Sequence, residues 1–369
     1  MDIPWLIKKG VERISTVSRE ELYLKMGVDL TRPTSVTCEV NERCNFKCQY
    51  CHFWQMPEYA PEISIAEWKV ALAGLRSFLG RLHVEFIGGE PFLKQGFIEL
   101  LEYCRDQGIE WGVITNGSAF TDRNVGRVVA ALPTNIDISV DSPDPAVNDL
   151  VRGCPGFLNR IEAGLAKLRA ERDARSLRLP IRIIVTVTRQ NFRQLAGFAG
   201  WLKAHGADTV DFHPVHALPL WSEQVRRDLW PTAEEIAELR VVVEELILQR
   251  RNGAPIETSE ERLRSIPSQF AGAIVPTSIR GQCRTGLRRF AIKAHGDVLS
   301  CWEFTPFGNI RHEDAEAIWR GPRAREMRKG TVACSKVGGE CANCCLDSRS
   351  LKDDVKRGLL LLKALSAPR

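Results

Sequence analysis

The chain has 369 residues, 44% of them hydrophobic and 26% charged, enough to bury one large domain with an appendage, or two domains. A net charge of +5 is mild at this length, so anionic small molecules stay open as ligands while nucleic acid is not called for. No run reaches the roughly 18 uninterrupted apolar residues of a membrane span, and the opening MDIPWLIKKGVERIS sets its basic residues after a short apolar part, unlike a secretory signal; the chain reads as cytoplasmic, with no membrane partner.

In chain order, residues 1–33 read as a helical N-terminal extension. Short β-branched runs then alternate with amphipathic patterns. Strands are predicted at 36–40, 82–88, 110–117, 135–141, 181–188 and 209–215, and helices near 64–80, 95–107, 121–132, 156–173 and 191–205. Six strands separated by five helices predict repeated βαβ units. Their nearly continuous apolar character fits a parallel sheet buried on both faces. The expected class is α/β, a partial (β/α)6 TIM-like barrel over 34–225, with its chemistry at the C-terminal strand ends. The arginine-rich stretch 159–182 keeps apolar residues at helical spacing through its first half, so its arginines form a solvated face. Residues 226–279 are expected as a helical linker, whose helix starts at Thr232 with Glu235 three residues on, a capping-box pattern. A small module over 280–347 and a basic amphipathic helix over 348–369 close the chain.

Twelve cysteines are many for a reducing compartment, where clustered thiols point to metal or catalysis rather than disulfides. Cys38, Cys104 and Cys154 stand apart, and packing is the default for such singles. Three more fall in RCNFKCQYCHFW (43–54), directly after the first strand: Cys44, Cys48 and Cys51. Three thiolates can hold three irons of a four-iron cluster and leave the fourth iron open, and an open position turns a structural site into a reactive one. Structural zinc asks for a fourth ligand, and His52 adjoins Cys51 too closely to serve easily. The second strand runs into GGEP (88–91), which alone is an ordinary turn.

With C-x3-C-x2-C after the first strand and GGEP after the second, residues 34–215 resemble the radical S-adenosylmethionine (radical SAM) superfamily. The resemblance implies a [4Fe-4S] cluster on Cys44, Cys48 and Cys51, its open iron chelated by the amino and carboxylate groups of S-adenosylmethionine. It implies that one electron, from an external donor such as flavodoxin or ferredoxin, cleaves the sulfonium to methionine and a 5′-deoxyadenosyl radical. That radical abstracts hydrogen from an unactivated C–H bond. By the same resemblance Tyr50 lies near the adenine, and Gly88, Gly89, Glu90 and Pro91 meet the methionyl ammonium. Glycines let a backbone come close, and Glu90 can accept from a cationic amine. Asn116, Ser139 and Asp141 fall where the family contacts the ribose or the methionyl carboxylate. Thr188, after the fifth strand, and His213, in the sixth, are further cofactor-binding candidates, although turns satisfy many such side chains.

Six cysteines fall between 283 and 345. A hairpin turning at Gly296 would bring Cys283 and Cys301 together, and Cys341 with Cys344 forms a C-x2-C hook. Four thiolates make a closed site, for which zinc competes. The stretch resembles the C-terminal SPASM and twitch modules of radical SAM enzymes, which implies an auxiliary [4Fe-4S] cluster. Two fully ligated clusters need eight cysteines, so the single-cluster twitch type is expected, with Cys334 and Cys345 as alternates.

About 33 residues precede the first strand, leaving no room for a cobalamin-binding or leader-recognition domain before it. The expectation is therefore a radical SAM oxidoreductase or isomerase acting on a small, sugar-like or natural-product-like molecule by oxidation or epimerisation. In it Cys154 is a candidate hydrogen donor by location, and Arg152 a candidate partner for an anionic substrate, with a salt bridge to a neighbour as the plain alternative. A maturase-type enzyme modifying peptides or proteins is the alternative. A non-catalytic iron–sulfur electron carrier is the rival of another class, and it leaves the open triplet with GGEP unexplained.

Overall fold

The computed structural model describes residues 3–56, 61–216, 223–272, 283–302 and 304–334. The six predicted strands are present as β1 (Ser35–Glu39), β2 (His83–Ile87), β3 (Glu110–Thr115), β4 (Asn135–Ser139), β5 (Ile181–Val187) and β6 (Thr209–Pro214). They pair in sequence order, each parallel to the next. β5 shows why they are strands. Ile181, Ile183, Val185 and Val187 are buried while Arg182, Ile184 and Thr186 are only half-buried, so the buried residues alternate onto one face of a β-branched run. That face packs against the crossover helices α2 (Ile65–Leu79), α3 (Phe97–Asp106), α4 (Val125–Ala130), α6 (Leu158–Ala174) and α7 (Phe198–His205), which follow α1 (Ile3–Met26) and are joined by α5 (Pro145–Arg152).

Local chemistry sets the helix ends. Ser64 and Glu67 close a capping box at the start of α2, and α5 opens with Asp144 as cap and Pro145 in its first turn. The predicted helix over 191–205 divides into a 3-10 turn, Phe192–Gly197, and α7. Of the expected linker, residues 226–272 are described. They hold the end of α8 (Glu223–Leu229), then α9 (Ala233–Arg251), with the predicted Thr232–Glu235 capping box, and α10 (Glu260–Phe270). Between these helices residues 255–257 run along β6: Val210 N donates to Pro255 O at 3.0 Å and Glu257 N to Val210 O at 2.8 Å. The outer edge of β6 is thereby occupied, which removes an open strand edge.

The C-terminal module enters the same sheet. β7 (Arg289–Ile292) lies parallel to β1, with Val36 opposite Phe290. β8 (Asp297–Leu299) and β9 (Gly308–Asn309) follow antiparallel, ahead of α11 (Ala315–Arg320) and α12 (Pro322–Val332). The sheet is nine-stranded, ordered β6-β5-β4-β3-β2-β1-β7-β8-β9, and open. The hairpin expected at Gly296 is there, with its φ of +99° at the turn. α1 is tied to this end of the sheet. The carboxylate of Glu20, 1% exposed, takes both Arg284 Nη1 (2.9 Å) and Arg288 Nη2 (2.6 Å). Among the described residues no helix is long and apolar enough to cross a membrane.

Candidate functional site

The loop carrying Cys44, Cys48 and Cys51 leaves the C-terminal end of β1. Its own bonds shape it: Phe46 N donates to Cys44 Sγ (3.4 Å), Cys51 N to Cys48 O (3.1 Å) and Trp54 Nε1 to the same carbonyl (2.9 Å). Cys44 and Cys51 are partly exposed and Cys48 is buried. Burial pushes all three thiols up, Cys48 to about 12; backbone N–H groups at Cys44 and Cys51 and the Arg152 guanidinium oppose this only in part.

The turn after β2 locks onto this loop. Gly89 N donates to Asn41 O (3.0 Å), Glu90 N to Arg43 O (2.8 Å) and Asn41 Nδ2 to Glu90 O (2.9 Å). A Cβ on Gly88 would lie 2.3 Å from Asn41 O, and one on Gly89 2.2 Å from Arg43 O. The space the glycines leave is therefore filled by the chain's own approach, so the pair holds the β2 end against the cysteine loop. The Glu90 carboxylate is fully buried and accepts from Phe92 N (3.3 Å), Thr115 Oγ1 (2.8 Å) and Asn116 N (2.7 Å). That fills three of roughly four acceptor positions and leaves one for a cation. Pro91 is buried and opens a 3-10 turn, Pro91–Leu93, whose cap is Glu90. Asn116 extends the link from the end of β3: its Nδ2 donates to Asn45 Oδ1 (2.8 Å) and lies 3.9 Å from Cys44 Sγ.

Beside Cys48 the structure brings together three residues far apart in sequence. Tyr50 Oη donates to Asp141 Oδ2 at 2.7 Å, and Arg152 Nη1 donates to Tyr50 Oη at 2.6 Å. Arg152 also lies 3.4 Å from Asp141 Oδ2 and 5.5 Å from the centre of the Phe46 ring. Its Nε is buried without a hydrogen-bond partner. The other carboxylate oxygen of Asp141 accepts from Thr186 N (2.8 Å). Cys154 follows α5 and is partly buried at the edge of the core. The preceding Gly153 comes so near Lys47 that a Cβ would lie 2.2 Å from its carbonyl oxygen, so the Cys154 turn backs onto the cysteine loop.

The remaining candidates are more local. Ser139 ends β4 half-buried, opposite Ile184. Thr188 is buried, with its hydroxyl turned to Asn191 Oδ1 (3.3 Å). His213 has both ring nitrogens engaged, Nε2 3.2 Å from Asp211 and Nδ1 3.3 Å from Arg262. Burial alone would raise the Asp211 carboxyl, but His213, Arg182 and Arg262 hold it well below the usual carboxylate range. Cys283 and Cys301 lie before and after the β7–β8 hairpin, and Cys334 ends the described chain; all three are partly exposed. Cys341, Cys344 and Cys345 lie outside the described residues, as does the helix expected over 348–369.

Three features escape a reading of the sequence. Asn191 Nδ2 donates to both Asp141 O and Thr186 O (2.8 Å each), clasping the ends of β4 and β5. Asn148 Oδ1 takes Asp141 N at 3.0 Å. Lys293 joins the two cysteine regions: its Nζ is 2.7 Å from Glu39, 5.7 Å from the centre of the Phe53 ring, two residues past Cys51, and 4.8 Å from that of Trp302, next to Cys301. No local pattern marks these side chains, and Lys293 lies 254 positions from Glu39.

The donor set fits an iron–sulfur cluster. It is all thiol, it sits on one loop, and a buried cation with an unpartnered N–H stands behind it. Among the described residues no three His, Cys, Asp or Glu side chains converge as ligands of a single ion must. A cube-shaped cluster takes one thiolate per iron and asks for no such convergence.

Comparison with known proteins agrees with this geometry. Residues 38–195 match the model of the radical SAM superfamily, and residues 283–350 match SPASM, an iron–sulfur cluster-binding domain. The PqqA peptide cyclase of Xanthomonas campestris pv. campestris is 26% identical over 324 residues, 85% of this chain and 79% of that protein. That of Rhodopseudomonas palustris is also 26% identical, over 84% of this chain and 79% of its own length. In fold, the chain resembles Streptococcus suis SuiB bound to S-adenosylmethionine, with a TM-score of 0.64 at 18% identity over 94% of this chain and 77% of that one.

Proposed function

This chain is a radical SAM enzyme with a C-terminal iron–sulfur cluster-binding domain, and we propose that its substrate is a peptide. The observation that carries the proposal is the match to PqqA peptide cyclases through 79% of their length, spanning both the barrel and the C-terminal module. Of the sequence-based readings, the peptide-modifying alternative is thus better supported than the small sugar-like substrate. The open sheet is in keeping with it, since an unclosed barrel leaves lateral access for an extended chain.

In this reading Cys44, Cys48 and Cys51 hold the cluster, and Cys283, Cys301, Cys341 and Cys344 an auxiliary one, with Cys334 and Cys345 as alternates. When bound, the first cluster supplies the electron that cleaves S-adenosylmethionine. The remaining acceptor position of Glu90 takes the methionyl ammonium. Tyr50, Asn116, Ser139 and Asp141 line the cosubstrate, while Thr188 and His213 keep the floor of the site in place through their own turns and ion pairs. We assign contact with the peptide to Trp302, an exposed aromatic beside Cys301, with Lys293 next to its ring.

The test uses the reconstituted enzyme under anaerobic conditions with dithionite and S-adenosylmethionine. Short peptides encoded beside its gene are supplied with deuterium on their side chains. The expected result is deuterium in 5′-deoxyadenosine together with a peptide that has lost two hydrogens. Deuterium arriving from labelled sugars, and none from any peptide, would overturn the peptide reading.

A further inference from the structure

Most buried charges here are neutralised locally. Arg182 is held between Asp137 and Glu257, and Arg172 by Asp208. Arg152 differs in what surrounds it. It is 5% exposed, and among the described residues its one anionic partner within 4 Å, Asp141, is shared with the Tyr50 hydroxyl. Its Nε has no partner. Its other neighbours belong to the cysteine loop: Phe46, between Cys44 and Cys48, lies under the guanidinium, and Tyr50, between Cys48 and Cys51, holds its Nη1. The backbone of α5 is pinned to the same loop through Gln49 N and Val151 O, 3.0 Å apart.

We propose that Arg152 is a positioning residue that sets the reduction potential of the cluster held by Cys44, Cys48 and Cys51. The reasoning is electrostatic. Adding one electron to a cluster bound by three thiolates increases negative charge in a partly desolvated site. A fixed cation within the same low-dielectric region favours the reduced state, and its effect is not screened as it would be in water. Arginine suits the task because it cannot lose its proton in a protein. Tyr50 and Asp141 fix its orientation, and Asp141 moderates its charge. Removing the cation and removing its counter-anion must therefore shift the potential in opposite directions.

The inference rests on the triplet holding a four-iron cluster, and iron and sulfide analysis of the wild-type chain reports on that separately. The test is a redox titration followed by electron paramagnetic resonance, without S-adenosylmethionine, so that no contact to the cosubstrate can produce the shift. Auxiliary-cluster signals are removed by substituting Cys283 and Cys301 with alanine in every variant. Arg152→Gln is expected to weaken reduction at least tenfold, a fall of 59 mV for a one-electron couple. Arg152→Lys stays near wild type, and Asp141→Asn rises. An unchanged midpoint in Arg152→Gln, or shifts of the same sign in Arg152→Gln and Asp141→Asn, overturns the proposal. If Arg152→Gln assembles no cluster, the sign in Asp141→Asn decides: a rise supports the proposal, and no change or a fall refutes it.

Discussion

Gly89 shows how much of the site depends on single atoms. Its missing Cβ lets Arg43 O come within hydrogen-bonding distance of the Glu90 N–H, at 2.8 Å. Gly89→Ala forces two backbone segments apart, because the new carbon would sit 2.2 Å from that oxygen. The expected cost is about 1–3 kcal/mol, read as a lower midpoint in chemical denaturation, together with reduced iron content after reconstitution. Full stability and full iron loading would show that the two segments can separate freely. At this scale the sequence was readable where the chemistry is contiguous. Cys44, Cys48, Cys51 and the Gly-Gly-Glu-Pro run are local patterns whose spacing carries the meaning. Arg152 was not readable in the same way. The sequence offers it as an anion-binding residue or a salt-bridge partner, and the structure shows the salt bridge, to Asp141, 11 positions earlier, with a hydrogen bond to Tyr50, 102 positions earlier; neither partner is signalled locally.

The secondary-structure elements divide likewise. The strands β1–β6 were legible because a parallel strand buried on one face and half-buried on the other needs β-branched runs, as in IRIIVTV. The capping box of α9 was legible from Thr232 and Glu235. The pairing of β7 with β1 was not, since RFAI lies some 250 residues from its partner and strand pairing has no local signature. The described strands β7–β9 of the C-terminal module thus extend the barrel sheet. α1 belongs to this junction through Glu20. Glu20→Ala leaves Arg288 and Arg284 without that carboxylate, and the loss of a buried ion pair costs about 3 kcal/mol. The expected readout is faster hydrogen exchange in α1 and β7, on the order of a hundredfold, with the exchange of β4 unchanged. Exchange unaltered in α1 would mean that other contacts fix the helix.

At the scale of the whole molecule, one open sheet carries two cysteine regions, joined by the Lys293 contacts to Phe53 and Trp302. The general chemistry was legible from motifs, because an open triplet with a Gly-Gly-Glu turn is an uncommon combination. The substrate was not, since it depends on the shape and lining of a surface assembled from β1 to β8. The most direct measurement is formation of 5′-deoxyadenosine by the anaerobically reconstituted chain supplied with dithionite and S-adenosylmethionine, run beside a Cys44→Ala, Cys48→Ala, Cys51→Ala triple variant that keeps the C-terminal cysteines. The expected result is 5′-deoxyadenosine from the wild-type chain and none from the variant. Absence of product from a wild-type chain shown to hold its four-iron cluster, or equal product from the variant, would contradict the assignment of the open three-thiolate site as the centre of the chemistry.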